Sequence, residues 1–338
     1  MPDPSLRARP TLKEVARLAG VSIASASYAL HNRGSVGEAT RQRVREAAET
    51  LGYRPNAIAQ AMKTGKSGAL GLIVPDLSNP LFPALAQTVV HAAREAGHRV
   101  LIADSQGSHA AEIEAARDLA AFGADGLIWF PVNDTDSLAG VTAGLPTVVI
   151  DRDVPGYDQV QPDYRAGGLM GARLLTSLGH RAIGIVAGPV DVQNSRVRAD
   201  AAAMELQGEV RLAWRVVNPY ALDLEPEVIA ALESRTATAI LCGADIIALG
   251  VMQALRGLGL DVPGDVSVLG FDDIHWCELT TPTLSSVRIP IEEIGAEAVS
   301  LLLQRIAAPR DPRRRVSFDV RIVERGSVAA PAKVVVEA

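Results

Sequence analysis

Apolar residues recur at helical spacing near the start of the chain and predict a short first helix. Its apolar face consists of Leu12, Val15, Ala16 and Ala19. Thr11 and Glu14 have the spacing of a capping box, in which each residue satisfies a backbone N–H of the other. Gly20 stands where the helix should end, because glycine readily adopts the left-handed conformation of a helix terminus.

A second helix is predicted after Ser22, which can cap it. Its inward positions are Ala26, Ala29 and Leu30. Its outer or edge positions are small or uncharged: Ile23, Ala24, Ser25, Ser27 and Tyr28. Two helices joined by a tight turn can form a helix-turn-helix, which presents the second helix to the major groove of DNA. Helical hairpins with a glycine turn are also common without DNA binding, so both interpretations stay open at this point.

A third helix is predicted from Glu38 to Leu51, with three arginines on its outer side and a glycine after it. The run NAIAQAMK that follows is too short to be a stable helix in isolation. The composition of residues 64–68, TGKSG, is typical of a flexible linker. These features predict a first domain over residues 1–55, a linker over 56–67 that the resemblance described below implies to contain a hinge helix, and a core over 68–338.

Short apolar runs alternate with helical patterns through most of the core. The runs are ALGLIV, RVLIA, DGLIWF, PTVVI, AIGIVAG, RLAWRVV, TAILCG and VSVLGF. A helical segment is expected between each pair of neighbouring runs, including DGLIWF and PTVVI. Such alternation predicts an α/β core of two doubly wound, Rossmann-like halves with parallel sheets. Ligands of such folds bind beyond the carboxyl ends of the strands, so a cleft between the halves is the expected binding site.

Charge is distributed unevenly along the 338 residues. Residues 1–66 carry a net charge of +6, whereas the remainder carries −12. A basic head on an acidic body is typical of a DNA-binding module joined to a regulatory domain. The absence of a leader or of a long apolar run predicts a cytoplasmic protein without a membrane partner. Cys242 and Cys277 lack metal-type spacing and are expected to be buried, reduced thiols.

The sequence offers no support for an enzyme. No strand is followed by a G-x-G-x-x-G turn or a phosphate-binding G-K-[ST] loop, and no nucleophile, base and acid stand in a recognisable order. Asp272 and Asp273 are adjacent and should point to different sides, which does not suit paired acid and base catalysis. We therefore expect no cofactor and no metal. A solute-binding protein of the same core fold is the remaining alternative, against which the basic head argues.

Several motifs in order resemble the LacI/GalR family of bacterial transcription regulators. They are TLKEVARLAGVS, ETLGYRPNAIAQAMKTGKSGALGLIVPDLSNPLF, LGHRAIGIVAGP, DVPGDVSVLGFDDI, TPTLSSVRIP and RIVERGS. The resemblance spans residues 11–327. It implies a small all-α helix-turn-helix head with a hinge helix that orders on operator DNA, and a core like type I periplasmic binding proteins. That core would dimerise and bind a small effector, most often as part of a repressor.

The resemblance also implies subdomain limits and roles in the head. The N-subdomain would comprise about 68–163 and 290–319, and the C-subdomain about 164–289 and 320–330. Base-reading positions fall on Ile23, Ala24 and Tyr28, although Ile23 and Tyr28 could instead complete the core of the head. Tyr28 stands where many members have arginine, and it cannot make the bidentate contact of arginine with guanine. Other expected DNA contacts, mostly to the backbone, are Thr11, Ser22, Ser25, Ser27, Asn32, Arg41 and Arg54. Helix capping is the alternative role for the three serines and for Asn32.

The hinge residues match a stretch that lies in the minor groove in the family. They are Asn56, Ala57, Ala59, Gln60 and Met62. Met62 replaces the usual leucine that wedges into a base step, and its flexible side chain makes a less well defined wedge. A contact between hinge and core is the alternative role for Met62.

In the core, Arg198 matches an effector-contacting arginine and Asp272 a carboxylate that accepts hydrogen bonds from ligand hydroxyls. A planar donor opposite a carboxylate suits a polyhydroxylated ligand, whereas an ordinary ion pair is the alternative. Phe82 and Tyr220, with Leu81 beside them, either pack on the effector or belong to the core.

Two departures from the family pattern bear on the nature of the effector. Ala244 stands where a ligand-binding asparagine is common, and Pro162 where an aromatic residue can occur. The effector is therefore either less hydroxylated than a simple sugar or held by other groups, for which Asn79, Asp151 and Trp276 are the candidates. The partners implied are near-palindromic operator DNA, a sugar-like effector and a second copy of the chain.

Overall fold

The computed structural model describes residues 10–30, 34, 36–53, 67–142, 144–208 and 210–332. Its internal contacts divide the chain into two compact units, Met1–Ser67 and Gly68–Ala338. The predicted hinge lies outside the described residues, so its helical structure stays a prediction.

The first unit contains the three predicted helices, α1 Leu12–Ala19, α2 Ile23–Leu30 and α3 Glu38–Leu51. The predicted capping box of α1 is present: the backbone N–H of Thr11 donates to Glu14 Oε2 at 2.7 Å, and Thr11 Oγ1 accepts from the backbone of Glu14. Gly20 ends the helix in the left-handed conformation, with φ +66°. The helices enclose a small core of Val15, Ala16, Ala19, Ala26, Ala29, Val44, Ala47 and Ala48.

The second unit contains twelve described strands and seven described α-helices. The strands are β1 Ala69–Val74, β2 Arg99–Asp104, β3 Leu127–Trp129, β4 Thr147–Ile150, β5 Asp158–Pro162, β6 Ala182–Ala187, β7 Arg211–Val217, β8 Ala239–Cys242, β9 Ser267–Asp272, β10 Ser285–Arg288, β11 Arg315–Phe318 and β12 Arg321–Val323. The helices are α4 Leu81–Glu95, α5 His109–Ala121, α6 Tyr164–Ser177, α7 Gln193–Glu205, α8 Pro226–Glu233, α9 Asp245–Gly257 and α10 Ile291–Ala307.

The described strands form two six-stranded sheets, which confirms the predicted pair of α/β halves. The first sheet has the order β11, β5, β4, β3, β1, β2 and is parallel. The second has the order β12, β10, β9, β8, β6, β7, in which only β12 is antiparallel to its neighbour. The chain passes between the sheets after β5, after β10 and between β11 and β12. Three connections therefore join the two halves.

The inner strands of each sheet are buried on both faces, as their continuous apolar runs predict, whereas the edge strands β2 and β7 are partly exposed. In β1, Leu72 faces a core shared with α4 and α10, whereas Ile73 faces a second core beneath α5. Gly71 lies against the side chains of Leu119 and Leu127, where an added Cβ would come within 2.6 Å of Leu127. The strands therefore provide rigid supports whose carboxyl ends hold the loops of the cleft.

One predicted element is wrong. The expected helical segment between DGLIWF and PTVVI is a series of turns and bends in its described residues. Polar side chains compete with helical hydrogen bonding here: the side chain of Asn133 accepts from the backbone N–H of Thr135 at 2.9 Å. Buried Glu112 of α5 also holds the loop, accepting from the backbone N–H of Val132 at 2.7 Å and from Ser137 Oγ at 2.7 Å.

Candidate functional site

The second helix of the head, α2, exposes and buries the residues that the sequence predicted. Ala26 and Ala29 are buried in the head, whereas Ile23 and Tyr28 are 50% and 51% exposed. Ser22 Oγ accepts from the backbone N–H of Ser25 at 3.0 Å and so caps the helix. The helix has no acidic or basic side chain, so apolar groups, hydroxyls and backbone amides are what it can offer to DNA.

Arg41 organises the turn between α2 and α3. Its Nε–H donates to the carbonyl of Val36 at 2.9 Å, and its Nη2 donates to the carbonyl of Gly34 at 3.1 Å. The ring of Tyr28 lies over Gly34, about 3.5 Å from where a Cβ would stand. Arg41 thus fixes a loop beside α2, at the edge of the face that this helix exposes.

Seven of the predicted DNA contacts lie outside the described residues. They are Asn32, Arg54, Asn56, Ala57, Ala59, Gln60 and Met62. Of those that the structure describes, Ala24 is exposed on α2 and Thr11 serves as the cap of α1.

In the core, the structure brings the predicted pair Arg198 and Asp272 together. Arg198 belongs to α7 and Asp272 ends β9, and their side chains approach to 3.9 Å, both almost fully buried. Arg198 also donates to the hydroxyl of Tyr220 at 2.5 Å. Its guanidinium carbon lies 4.8 Å from the centre of the Phe271 ring and 5.1 Å from that of Tyr164. The cation is therefore held within an aromatic cage.

The close packing of the cage depends on glycines. An added Cβ at Gly188 would stand 2.5 Å from the ring of Tyr220, and one at Gly167 would stand 2.6 Å from the ring of Phe271. Because neither glycine has a Cβ, the rings can approach the backbone closely at both positions. Sequence reasoning missed Gly167 and Phe271, since neither is distinguishable by pattern from an ordinary core position.

A second buried acid, Asp245, forms hydrogen bonds with the turn that carries Asp272. Asp245, the first residue of α9, accepts from the backbone N–H of Ile274 at 2.9 Å and from Ser286 Oγ at 2.7 Å. Burial raises the pKa of Asp245 to about 7. Burial also raises the pKa of Asp272 well above its usual range, opposed by the charge of Arg198. The backbone N–H of Asp245 donates to Asp272, so this acid fixes both ends of the turn that carries Asp272.

Asp273 follows Asp272 directly but has different ion-pair partners. It pairs with Arg325 at 2.6 Å and with Arg288. Asp272 and Asp273 both have positive φ, 113° and 60°, and such conformations persist only where surrounding contacts determine them. The two carboxylates therefore have separate roles, one in the cleft and one in a structural ion pair.

The other wall of the cleft comes from the first sheet. Asp151 directly follows β4, is buried, and accepts from the hydroxyl of Tyr164 and from the guanidinium of Arg152. Burial raises the pKa of Asp151 to about 7. Phe82 packs edge to face on Phe130, with ring centres 4.8 Å apart. Leu81 is buried beside Phe82, so these predicted positions form an apolar part of the wall.

Three other candidates have less to offer a ligand. Ala244 is buried, precedes α9 and has no polar side chain. Asn79 uses its side-chain oxygen to accept from the backbone N–H of Leu81 at 3.1 Å. Trp276 lies in the short 3-10 helix His275–Glu278 and is 40% exposed. A cavity of about 750 Å³ opens beside Asp272, and its lining includes Leu81, Arg288, Glu292 and Arg321.

The two halves of the core also contact each other through hydrogen bonds of Asn133 and Asp134, which we call the polar latch. Asp134, in the loop after β3, accepts from the backbone N–H of Gln193 at 2.5 Å. Asn133 donates to Asp191 at 3.2 Å. Val192 stands at the N-cap of α7 and has no side chain that could satisfy a helix N–H. An acid from the opposite half therefore caps the helix that holds Arg198.

Asp134→Ala should release this cap. We expect the Gln193 amide to exchange its hydrogen roughly fivefold faster, because losing a capping acceptor costs about 1 kcal/mol. Hydrogen exchange followed by mass spectrometry or NMR measures this. Asp136→Ala is the control, because Asp136 lies in the same loop but accepts from Tyr157 at 3.1 Å. Equal exchange rates in wild type and Asp134→Ala would show that the latch does not form in solution.

Within the described ranges, the helices include none long and apolar enough to cross a membrane. The same residues contain no cluster of three or more histidine, cysteine or acidic side chains that could hold a metal ion. Both cysteines are buried and unpaired by disulfides.

Comparison with known proteins identifies related sequences and structures. A sequence profile described as bacterial regulatory proteins, lacI family, matches residues 11–56, and one for a periplasmic binding protein-like domain matches residues 172–328. The HTH-type transcriptional regulator MalR of Streptomyces coelicolor is 34% identical over 340 residues, which cover 94% of this chain and 96% of MalR.

Two solved structures share the fold over nearly the whole chain. The Lac repressor dimer bound to operator and the anti-inducer ONPF has a TM-score of 0.86 at 25% identity, covering 96% of this chain and all of that one. The complex of the transcriptional regulator CelR with cellobiose has a TM-score of 0.69 at 26% identity, covering 95% of this chain and all of that one.

Proposed function

The chain belongs to the LacI family of bacterial regulatory proteins, and from that premise we propose that it is a transcription repressor controlled by a small effector. The observation that carries the proposal is the presence, in one chain, of a helix-turn-helix with an exposed face and a cleft in which Arg198 meets Asp272. The first can bind operator DNA and the second can bind a ligand.

The proposal divides the chain by role. Residues 1–55 would bind DNA, 56–67 would form the hinge, and 68–338 would bind the effector and dimerise. A two-fold dimer places two recognition helices on related half-sites, so the operator should be near-palindromic. The Lac repressor of the operator complex is a dimer, which supports the same assembly here.

We assign the effector to the cleft between the two sheets. Arg198 and Asp272 would bind its hydroxyls, whereas Phe82, Tyr220 and Leu81 would pack on its apolar faces. Asp151 would contact it from the opposite wall. The ligand of CelR in its complex is cellobiose, which supports a sugar-like effector for this chain.

Selection of duplex DNA from a random pool tests the proposal. The full-length protein should enrich a near-palindromic sequence, and sugars from a defined set should change the affinity for it. The set comprises D-glucose, D-ribose, cellobiose and maltose. If no sequence is enriched but a sugar binds, the protein captures ligands without regulating genes and the proposal is wrong.

The composition of α2 leads to a prediction about the selected operator. Without a charged or amide side chain, the helix has apolar groups such as Ile23 to place against the methyl group of thymine. Ile23→Ala should weaken operator binding roughly fivefold, because about 1 kcal/mol of apolar contact is lost. Replacing the contacted thymine by deoxyuridine should weaken wild-type binding similarly and affect Ile23→Ala little.

Gln42→Ala, on the outer face of α3, is the control for this prediction, since Gln42 pairs with Glu46 of its own helix. Fluorescence anisotropy of a labelled operator gives all affinities. Full wild-type binding by Ile23→Ala would assign Ile23 to packing rather than to base reading.

A further inference from the structure

We propose that Arg152 is a second effector-binding guanidinium which, together with Arg198, selects an uncharged polyhydroxylated ligand over its phosphorylated form. The inference rests on the proposed function, because it concerns the same cleft. It adds a residue from the first half of the core to a site whose other proposed cation, Arg198, belongs to the second half.

Arg152 is buried although it stands in a loop. It follows Asp151 directly after β4 and is 4% exposed. Its guanidinium pairs with Asp151 and lies 4.9 Å from the centre of the Phe130 ring. A buried arginine loses hydration on all sides, and burial accordingly lowers its pKa. Such a position is retained only where several acceptors compensate for the lost water.

Within the described structure, hydrogen bonds to the protein do not fully replace the water that Arg152 loses on burial. The buried Nε–H of Arg152 has no hydrogen-bond partner there, and neither has the buried Nε–H of Arg198. Buried donors without acceptors are rare in folded proteins, and each therefore requires an explanation. Here two of them belong to arginines on opposite halves of the core. A ligand between the halves that offers an oxygen atom to each guanidinium would satisfy both.

The arrangement of charges decides which ligand fits. Arg152 is paired with Asp151, and Arg198 faces Asp272. Each arginine of the cleft thus has an acidic side chain beside it, and Asp134 adds further negative charge near Arg152. A phosphate would meet these acids among buried side chains, where like charges repel each other strongly. A neutral hydroxyl, in contrast, accepts from a guanidinium and donates to a carboxylate without disturbing the balance.

Aromatic rings lie close to both arginines and indicate that the ligand also has apolar faces. Phe130 covers Arg152, whereas Tyr164, Tyr220 and Phe271 surround Arg198. These rings offer flat apolar surfaces for the C–H faces of a sugar, while the guanidinium and carboxylate groups bind its edge hydroxyls. Lysine could supply the charge of Arg152 but not the Nε–H or the planar fork. Arg152→Lys is therefore the most informative substitution.

The experiment is titration calorimetry on the full-length protein. The ligands are D-glucose, D-ribose, cellobiose and maltose, together with glucose 6-phosphate and ribose 5-phosphate. The variants are Arg152→Lys and Arg152→Gln. Arg315→Lys is the matched control, because Arg315 belongs to the same half and also pairs with an aspartate, Asp153, but is half exposed. Melting temperature without sugar and affinity for the selected operator are measured for each variant.

We expect at least one neutral sugar to bind the wild type more tightly than either phosphate does. Both Arg152 variants should bind that sugar at least tenfold more weakly, with operator affinity unchanged and Arg315→Lys like the wild type. Wild-type sugar affinity in Arg152→Lys, even with a lower melting temperature, would overturn the inference and leave the proposed function standing. Tighter binding of a phosphate would also overturn it. Absence of binding by all six compounds would overturn both.

Discussion

Asp272→Asn should abolish the response to effector while leaving operator binding intact. Asparagine keeps the shape of the side chain but removes the acidic group that faces Arg198 in a buried site. Removing one partner of a buried charge pair costs roughly 2 to 5 kcal/mol, much of it because the other charge is left uncompensated. The amide would also replace an acceptor by a donor on one side, so ligand hydroxyls would lose an acceptor.

Calorimetry measures the affinity for the sugar that binds the wild type. Fluorescence anisotropy measures the affinity for the selected operator. Asp200→Asn is the control, since Asp200 belongs to the same helix as Arg198 but forms an exposed ion pair with Arg215. Retention of wild-type sugar affinity by Asp272→Asn would return Arg198 and Asp272 to a purely structural role.

Gly168→Ala should strongly destabilise the core although it adds only one methyl group. An added Cβ at this position of α6 would stand 2.1 Å from the carbonyl oxygen of Arg198. The obstacle is backbone, so no side-chain rotation can relieve it, and α7 must move as a whole. We expect a loss of about 3 kcal/mol in the free energy of unfolding, at the upper end for overpacking. Displacement of α7 would also carry Arg198 away from Asp272 and weaken sugar binding.

Gly257→Ala at the end of α9 is the matched control, because nothing lies within 4 Å of its added Cβ. It should leave stability unchanged or raise it slightly, as alanine favours the helix. Urea unfolding of both variants gives the comparison. A Gly168→Ala protein as stable as Gly257→Ala would mean that α6 and α7 do not pack as closely in solution.

Long periodic patterns predicted most of the fold. The capping box of α1, the glycine that ends it and the apolar runs of the two sheets all depend on local chemistry, so each could be read from neighbouring residues. The failed helix before β4 shows the limit. There, Asn133 and Glu112 fix a turn-rich loop through side-chain hydrogen bonds, and the contribution of Glu112 comes from a different element.

The site was harder to predict for the same reason. Arg198 and Asp272 were found through motifs of a family, and spacing alone would have favoured an ordinary ion pair. Arg152 was missed although it adjoins the predicted Asp151, because arginine in a loop normally lies in solvent. Its burial under Phe130 depends on a contact between distant parts of the chain. The sequence offered one signal for the role of Arg152, which is a charged residue close after a predicted buried strand.

The most direct test of the account is the affinity of the wild-type protein for its selected operator, measured by fluorescence anisotropy with and without the sugar that it binds. The account predicts at least a tenfold change in affinity at saturating sugar, which corresponds to a coupling of about 1.4 kcal/mol between the two sites. Asp272→Asn should bind the same operator without responding to the sugar. An operator affinity that the bound sugar leaves unchanged in the wild type would contradict the central claim.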